Sequence, residues 1–505
     1  LFNDSVLKEV SSEEVSSEET FSTNLTDITS TENEDISPPK VSEDINDSKK
    51  EAKDQLLVSE EDNALKSLFQ QLSTTRTSIS NRKRKRIKKR STPSVKTEIQ
   101  EVSQIEESPK VSNIKIRRTM LVENNAFFEN RSLSQTPLTF HILGSSQLSR
   151  RLHACLVEHG WKPQVSNPEV VLDMQMMPLS SFSFAQKINT PKMWFTIIQN
   201  SDQQDLEQHA QSGGIAGFTK ALGREWTSCK MSILILQDMS IDKKVESVCF
   251  ELQQNESLWE IFRTDSKRYS VVYEEIPSPQ RGQFKGPKTP TILLTGGSRG
   301  VTAEIAKSFA RRGRCNLILF SRTQPNNHPL NEKLSKEQIR QELTFAGEKI
   351  TPAKIEKKLN QLRKADEARQ NIEHLKKLGA QVLFCSTDIQ DGASVKRSLE
   401  RAQSVFGNID IVVHGAGAEK SRLFEQKTIA EFHSIFEPKV QGAIHLLRLL
   451  PKAYFVGMGS IAGRFGNAGQ IDYSAANDAL SHVLSRRGNA LHISWSAWGD
   501  TGMAV

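Results

Sequence analysis

The stretch SIAGRFGNAGQIDYSAAN, Ser460–Asn477, sets a hydroxyl, a phenol and an amide close together. Tyr473 and Asn477 stand at i and i+4, so they share a face of any helix that carries them. The segment before them, AYFVGMGS, reads as a strand ending on Ser460, and the residues from Asp472 onward read as a helix. A strand-end serine meets such a helix at the carboxyl edge of a sheet, where α/β ligands bind. A tyrosine titrates near 10 and is a weak acid at neutral pH unless a cation lowers its pKa. Reduction of a ketone needs a proton on the nascent alkoxide. Tyr473 has the group to supply it, and Ser460 has the hydroxyl to polarise the carbonyl. The candidate cation is Lys439, in FHSIFEPKVQGAIHLL, a helix preceding the Ser460 strand. Taken singly, each residue has a plain structural reading. Their joint spacing behind a glycine-rich turn is what points to chemistry.

That turn lies in TILLTGGSRGVTAEIAKSFARRG, a buried strand, a turn and a helix. Thr295, Gly296, Gly297, Ser298, Arg299, Gly300 and Val301 are the candidate phosphate-binding residues. Glycines there let the backbone approach a pyrophosphate, whose charge then sits at a helix N-terminus. The spacing is TGxxxG, and Thr302 stands where a further glycine is expected. The next strand, NLILFSRT, ends on Ser321 and Arg322 with no acidic residue to take a ribose hydroxyl. An arginine there pairs with a 2′-phosphate and favours NADPH; the alternative is a surface arginine after a strand. FCSTDIQD brings Asp388 and Ile389 to another strand end, beside an adenine. IDIVVHGAGAE is a further buried strand, and its Gly415, Ala416 and Gly417 are read as a small-residue floor for a nicotinamide ribose.

The elements that must position these residues divide the chain. Residues 1–114 read as a disordered acidic and basic linker, because VSSEEVSSEETFSTNLTDITSTENEDISPPK has too few aliphatics to offset chain entropy. Its basic run, NRKRKRIKKR at Asn81–Arg90, is read either as a nucleic-acid or nuclear-address patch or as solvated linker. No aromatic interleaves with it, which makes nucleic acid the weaker reading. Residues 115–280 alternate buried strands (LTFHILG, EVVLDMQ, MWFTIIQ, MSILILQ) with helices such as GGIAGFTKALGREW. That pattern predicts a parallel sheet with helices on its faces. Its first turn, GSSQLS, has one glycine, and no tyrosine precedes Tyr269, so this unit is expected to bind no nucleotide. A Pro/Gly linker, Ile276–Pro290, leads to the second α/β unit, 281–505. Within that unit, Thr351–Gly379 predicts one long amphipathic helix with a threonine cap, a proline at its first turn and a glycine stop. Its charged face is read as solvated, with partner docking as the alternative.

The chain has 505 residues, a net charge of +7 and five cysteines with no CxxC pairing. Dispersed cysteines argue for reduced thiols in a cytoplasmic protein and against a disulfide scaffold or a metal ribbon. No apolar run reaches the length of a membrane span. The first residue is Leu1, and WGDTGMAV stops in what reads as an active loop, which predicts a fragment of a longer polypeptide.

The segments TGGSRGVT, HGAG, FEPKVQGA, SIAGRFGNAGQIDYSAAN and SWSAWGDTGMA resemble the ketoreductase domain of modular polyketide and polyunsaturated fatty acid synthases, within the short-chain dehydrogenase/reductase superfamily. The resemblance implies two Rossmann-like subdomains, a truncated structural half at 115–280 and a catalytic half at 281–505. It implies a tetrad of Lys439, Ser460, Tyr473 and Asn477, in which Asn477 and Lys439 exchange the places usual in short-chain reductases. It implies NADPH as cofactor, no metal, and a 3-oxoacyl substrate on the phosphopantetheine arm of an acyl carrier protein. Other synthase domains on the same longer chain, and a homodimer of the full multienzyme, belong to the same picture. The chain departs from the pattern in AEKSRLF, where one stereochemical type carries Leu-Asp-Asp, and in Arg464 and Phe465, where the other type often has a tryptophan. A non-catalytic NADPH-binding module and a nucleic-acid-associated protein are the rival readings.

Overall fold

The computed structural model describes residues 116–123, 137–200, 204–237, 239–254, 259–276 and 286–498. The expected linker at 1–114, its basic run and residues 499–505 lie outside the described residues. Two sheets divide the described chain. The first contains β1 (Ile116–Glu123), β2 (Thr139–Leu143), β3 (Lys162–Pro163), β4 (Val170–Asp173), β5 (Met193–Gln199), β6 (Lys230–Leu236), β7 (Glu260–Arg263) and β8 (Arg268–Ile276). Helices α1 (Gln147–Glu158), α2 (Pro178–Ala185), α3 (Leu206–Glu225) and α4 (Ile241–Gln253) alternate with these strands. Its order is β1-β8-β7-β6-β5-β4-β2-β3, parallel from β7 to β3. The β7–β8 hairpin and β1 close one edge antiparallel. That edge was not foreseen from the sequence.

The second sheet is parallel throughout, in the order β11-β10-β9-β12-β13-β14. Its strands are β9 (Thr291–Thr295), β10 (Asn316–Ser321), β11 (Gln381–Ser386), β12 (Ile411–His414), β13 (Tyr454–Ser460) and β14 (Ala490–Trp495). In chain order this is the doubly wound arrangement, with the reversal between β9 and β12. The crossover helices are α5 (Gly300–Arg312), α6 (Glu332–Phe345), α7 (Pro352–Lys377), α8 (Gly392–Phe406), α9 (Ile429–Leu449), α10 (Ile461–Phe465) and α11 (Ile471–Ser485).

The strands read as unbroken apolar runs because both faces are covered. Ile292 and Leu294 of β9 pack beneath Ala306 of α5 and Leu375 of α7, while Leu293 faces Val440 and Ala443 of α9 on the other side. The long helix read at Thr351–Gly379 is present as α7. Thr351 Oγ1 accepts from the Lys354 amide at 3.3 Å, Pro352 opens the first turn, and Gly379 has φ +89°. Leu359 packs with Ile339 and Leu343 of α6.

The two sheets meet through α3 and α11. A Cβ on Gly217 would lie 2.4 Å from the Ser474 carbonyl oxygen, and one on Gly213 would lie 2.6 Å from that of Asp478. Glycines spaced one turn apart on α3 thus let the two helix backbones approach at close quarters. Trp194 and Phe218 of the first sheet's layer share one core with Phe432 of α9 and Ile471 of α11. No helix of the described residues is long and apolar enough to cross a membrane.

Candidate active site

At the β9–β12 reversal the turn after β9 takes its shape from two glycines. Gly296 has φ +73° and Gly300 φ +58°, a region L side chains rarely adopt. Gly297 lies against Leu294, Ser298 is buried, and Val301 opens the first turn of α5 half-exposed. Arg299 is the N-cap of α5 and provides no side-chain cap. The helix therefore presents its amino end to an acceptor from outside its own sequence. Arg322 is exposed past the end of β10, with no carboxylate paired to it among the described residues. Ser321 Oγ accepts from the Thr323 amide at 3.2 Å and shapes that corner. Asp388 is exposed at the end of β11, its carboxylate accepting from the Gln390 amide at 3.1 Å. These features fit a phosphorylated nucleotide: glycines where the chain must turn, an uncapped helix end and a cation beyond the second strand.

Ile389 turns inward; it is buried in the core against Gly442, so its side chain serves packing. The glycines of the HGAG segment also make room for neighbouring side chains. A Cβ on Gly415 would lie 2.1 Å from Thr302 Oγ1, and one on Gly417 would lie 3.4 Å from Lys439 Nζ. Thr302, which stands where a glycine was expected, is thus what Gly415 accommodates. Ala416 sits between them and donates its amide to Thr295 Oγ1 at 3.0 Å.

The sheet edge brings Ser460, Tyr473 and Asn477 together. The side chains of Ser460 and Asn477 both act on the Tyr473 phenol and favour its ionised form. Asn477 Nδ2 donates to the Tyr473 carbonyl at 2.7 Å, while its Oδ1 is buried without a partner among the described residues. Ser460 Oγ accepts from the Ala462 amide at 3.2 Å, capping α10. Burial raises the Tyr473 pKa above its ordinary value; the hydrogen bonds from Ser460 and Asn477 pull it down, and Glu419 pushes it up. The expected lowering by a cation therefore does not prevail. Lys439 is 3% exposed and donates its ammonium to the Met458 carbonyl at 2.9 Å. Burial brings its pKa down to about 8.

His414, from the HGAG segment, joins this cluster with no role assigned to it by the sequence alone. Its Nε2 lies 2.8 Å from the Lys439 carbonyl oxygen and its Nδ1 lies 3.0 Å from Thr295 Oγ1. A carbonyl can only accept, so Nε2 carries the proton and Nδ1 accepts from the threonine hydroxyl. Burial, then the Lys439 charge, lowers the His414 pKa to about 3, which keeps the ring neutral. This chain links the cofactor turn to the backbone of the lysine.

The loop between Ser460 and Tyr473 is held by the first sheet's layer. Lys220 of α3 contacts Glu260 and Asp478, each at 2.7 Å, with all three buried. Arg464 pairs with Glu260, and its Nε donates to Tyr273 Oη at 2.6 Å. Glu225 accepts from the Phe424 and Gly469 amides at 2.7 and 3.0 Å. Gly466 has φ +68°, and a Cβ there would lie 2.3 Å from the Lys220 carbonyl oxygen. At the start of α11, Asp472 takes the Lys427 ammonium at 2.6 Å and the Tyr473 amide at 2.8 Å.

In comparison with known proteins, residues 290–500 match the family model described as the KR domain. A polyunsaturated fatty acid synthase component of Thraustochytrium sp. is 27% identical over 337 residues, 61% of this chain and 12% of that protein. Polyketide synthase PksL of Bacillus subtilis is 31% identical over 153 residues, 28% of this chain and 3% of that protein. The chain thus matches only a small part of these relatives. Among solved structures, the ketoreductase from the first module of phoslactomycin biosynthesis in Streptomyces sp. HK803 superposes with TM-score 0.60 at 18% identity. That match covers 77% of this chain and 83% of the other. A ketoreductase domain from the bacillaene assembly line gives TM-score 0.55 at 19% identity, covering 78% and 88%. These two structural likenesses establish a shared fold.

Proposed function

We propose, from the match of residues 290–500 to the KR domain model, that the chain reduces a 3-oxoacyl thioester carried by an acyl carrier protein to the 3-hydroxyacyl thioester, with NADPH, as the ketoreductase part of a polyketide or polyunsaturated fatty acid synthase. The observation that carries this reading is the grouping of Ser460, Tyr473 and Asn477 at the carboxyl edge of the second sheet, with Lys439 buried against the Met458 carbonyl of the strand that ends on Ser460. NADPH would supply the hydride to the carbonyl carbon. Thr295 to Val301 would hold its pyrophosphate, Arg322 its 2′-phosphate, and Asp388 and the Gly415–Gly417 backbone its adenine and ribose ends. Residues 115–280 would support the catalytic half without a nucleotide of their own.

The proton comes from the chain. Ser460 Oγ donates to the ketone oxygen and draws charge onto it. Tyr473 Oη transfers its proton to that oxygen as the carbon accepts hydride. The raised phenol pKa suits this role, because the residue must arrive protonated. The resulting phenolate would be stabilised by Ser460 and Asn477, with the ammonium of Lys439 as the cation of the tetrad, and reprotonated through a water on Asn477 Oδ1, the acceptor without a partner among the described residues. General acid catalysis of this kind contributes about 10²–10⁴-fold. Tyr473→Phe should therefore cut thioester reduction by about that factor while NADPH affinity stays within about twofold. Reduction at the wild-type rate by the variant would remove Tyr473 from the chemistry.

A further inference from the structure

Helix α7 is more than a solvated strut. Its middle turns reach the nucleotide end of the second sheet from two sides. On one side, Asn371 Nδ2 donates to the Ser298 carbonyl at 3.0 Å, and Glu367 Oε1 accepts from the Gly300 amide at 3.2 Å. On the other, the segment after Arg322 is tied to the same helix. The Asn326 amide donates to the Ala365 carbonyl at 3.1 Å, Asn326 Nδ2 to the Leu362 carbonyl at 3.2 Å, and the Leu330 amide to Asp366 Oδ1 at 3.2 Å. Residues 362–371 therefore grip both the phosphate turn and the approach to the 2′-phosphate reader.

We propose that Glu367 sets the affinity of the nucleotide site: its carboxylate competes with the 5′-phosphates of the nucleotide for the amino end of α5 at Gly300. This rests on the reading of the second sheet as an NADPH-binding half. The helix has no cap from Arg299, so its first amides depend on an external acceptor, and Glu367 is the one in place. A carboxylate and a phosphate suit that position for the same reason, as anions at the positive end of a helix. They cannot both hold the Gly300 amide well, and close together they repel. Glu367 is exposed and has no ion-pair partner among the described residues, so it is free to swing aside. The frame around it is fixed. Asp366 is 8% exposed and bonded to Arg369 and Gln370 as well as Leu330, and Asn371 is half-buried. Glu367 thus withholds affinity while its neighbours keep the turn in shape.

The test is equilibrium binding of NADPH to the full chain and to its Glu367→Gln and Glu367→Ala variants, followed by nucleotide fluorescence, with thermal melting to confirm that each variant folds. Both variants should bind NADPH about tenfold more tightly, with the gap shrinking as salt is added. Adenosine 2′-monophosphate, which lacks the 5′-phosphates, should bind wild type and variants alike. Equal or weaker NADPH binding by the variants would overturn the proposal and make Glu367 a scaffold residue. An equal gain for adenosine 2′-monophosphate would overturn the competition with the 5′-phosphates. If neither wild type nor variants bind NADPH, the cofactor reading falls first and this proposal with it.

Discussion

At the residue scale, the cluster that was legible is the one carried by local spacing. Tyr473 and Asn477 are one helical turn apart, and the strand that ends on Ser460 immediately precedes their loop, so their meeting needs no long-range pairing. His414 escaped assignment because its partners, Thr295 and the Lys439 carbonyl, lie far away in sequence. A histidine inside an apolar strand carries no sign of which backbone atom it will meet. The phenol pKa also escaped, since burial depends on packing that no motif records. Arg322 is legible as a strand-end cation. If it reads the 2′-phosphate through a charge-assisted hydrogen bond of about 1.5–3 kcal/mol, Arg322→Ala should weaken NADPH binding by one to two powers of ten and leave NADH nearly unchanged. Titration with each nucleotide checks this, and an equal loss for both would assign the arginine another role.

At the element scale, the sequence announced the strands, the glycine turn and the capped α7, because period, caps and breakers are local. It did not announce why α3 is rich in glycine. Gly213 and Gly217 matter only against α11, and Lys220 only against Glu260 and Asp478. Removing one member of a buried ionic set leaves the others uncompensated, at a cost of about 3–5 kcal/mol. Lys220→Met should lower stability by roughly 3 kcal/mol in denaturant unfolding, and it should loosen the Ser460–Tyr473 loop that this set anchors. The same set gives the fold an acid limit. Burial alone would raise the Glu260 pKa, but Lys220 and Arg464 outweigh it and hold the value at about 2, below the ordinary 4.5. A carboxylate whose pKa is depressed by folding stabilises above its unfolded value and loses that contribution as pH falls toward the folded one. Stability should therefore drop between about pH 4.5 and 2, and Lys220→Met should move that drop to higher pH. An unchanged acid profile would show that the cluster does not hold the halves together.

At the scale of the whole molecule, the two α/β units were legible from alternating strands and helices, and they differ in their first turns. In the first sheet, Gly144 packs on the Met174 backbone, and Ser146 Oγ accepts from the Ser149 amide, so α1 caps itself. In the second, α5 has no such cap. One turn is closed by side chains of its own helix, whereas the amino end of α5 depends on an acceptor from elsewhere, with Glu367 on the Gly300 amide in this structure. Calorimetric titration with NADPH should therefore give one site per chain, and two sites would assign a nucleotide to the first half. The central claim is that this one site carries out reduction rather than only holding a cofactor. The most direct measurement is to supply NADPH deuterated at the nicotinamide C4 together with a 3-oxoacyl thioester, and to locate the label by mass spectrometry. The account predicts one deuterium at C3 of a 3-hydroxyacyl product for each NADPH consumed. NADPH bound at one site per chain with no deuterium transferred to the thioester would contradict it.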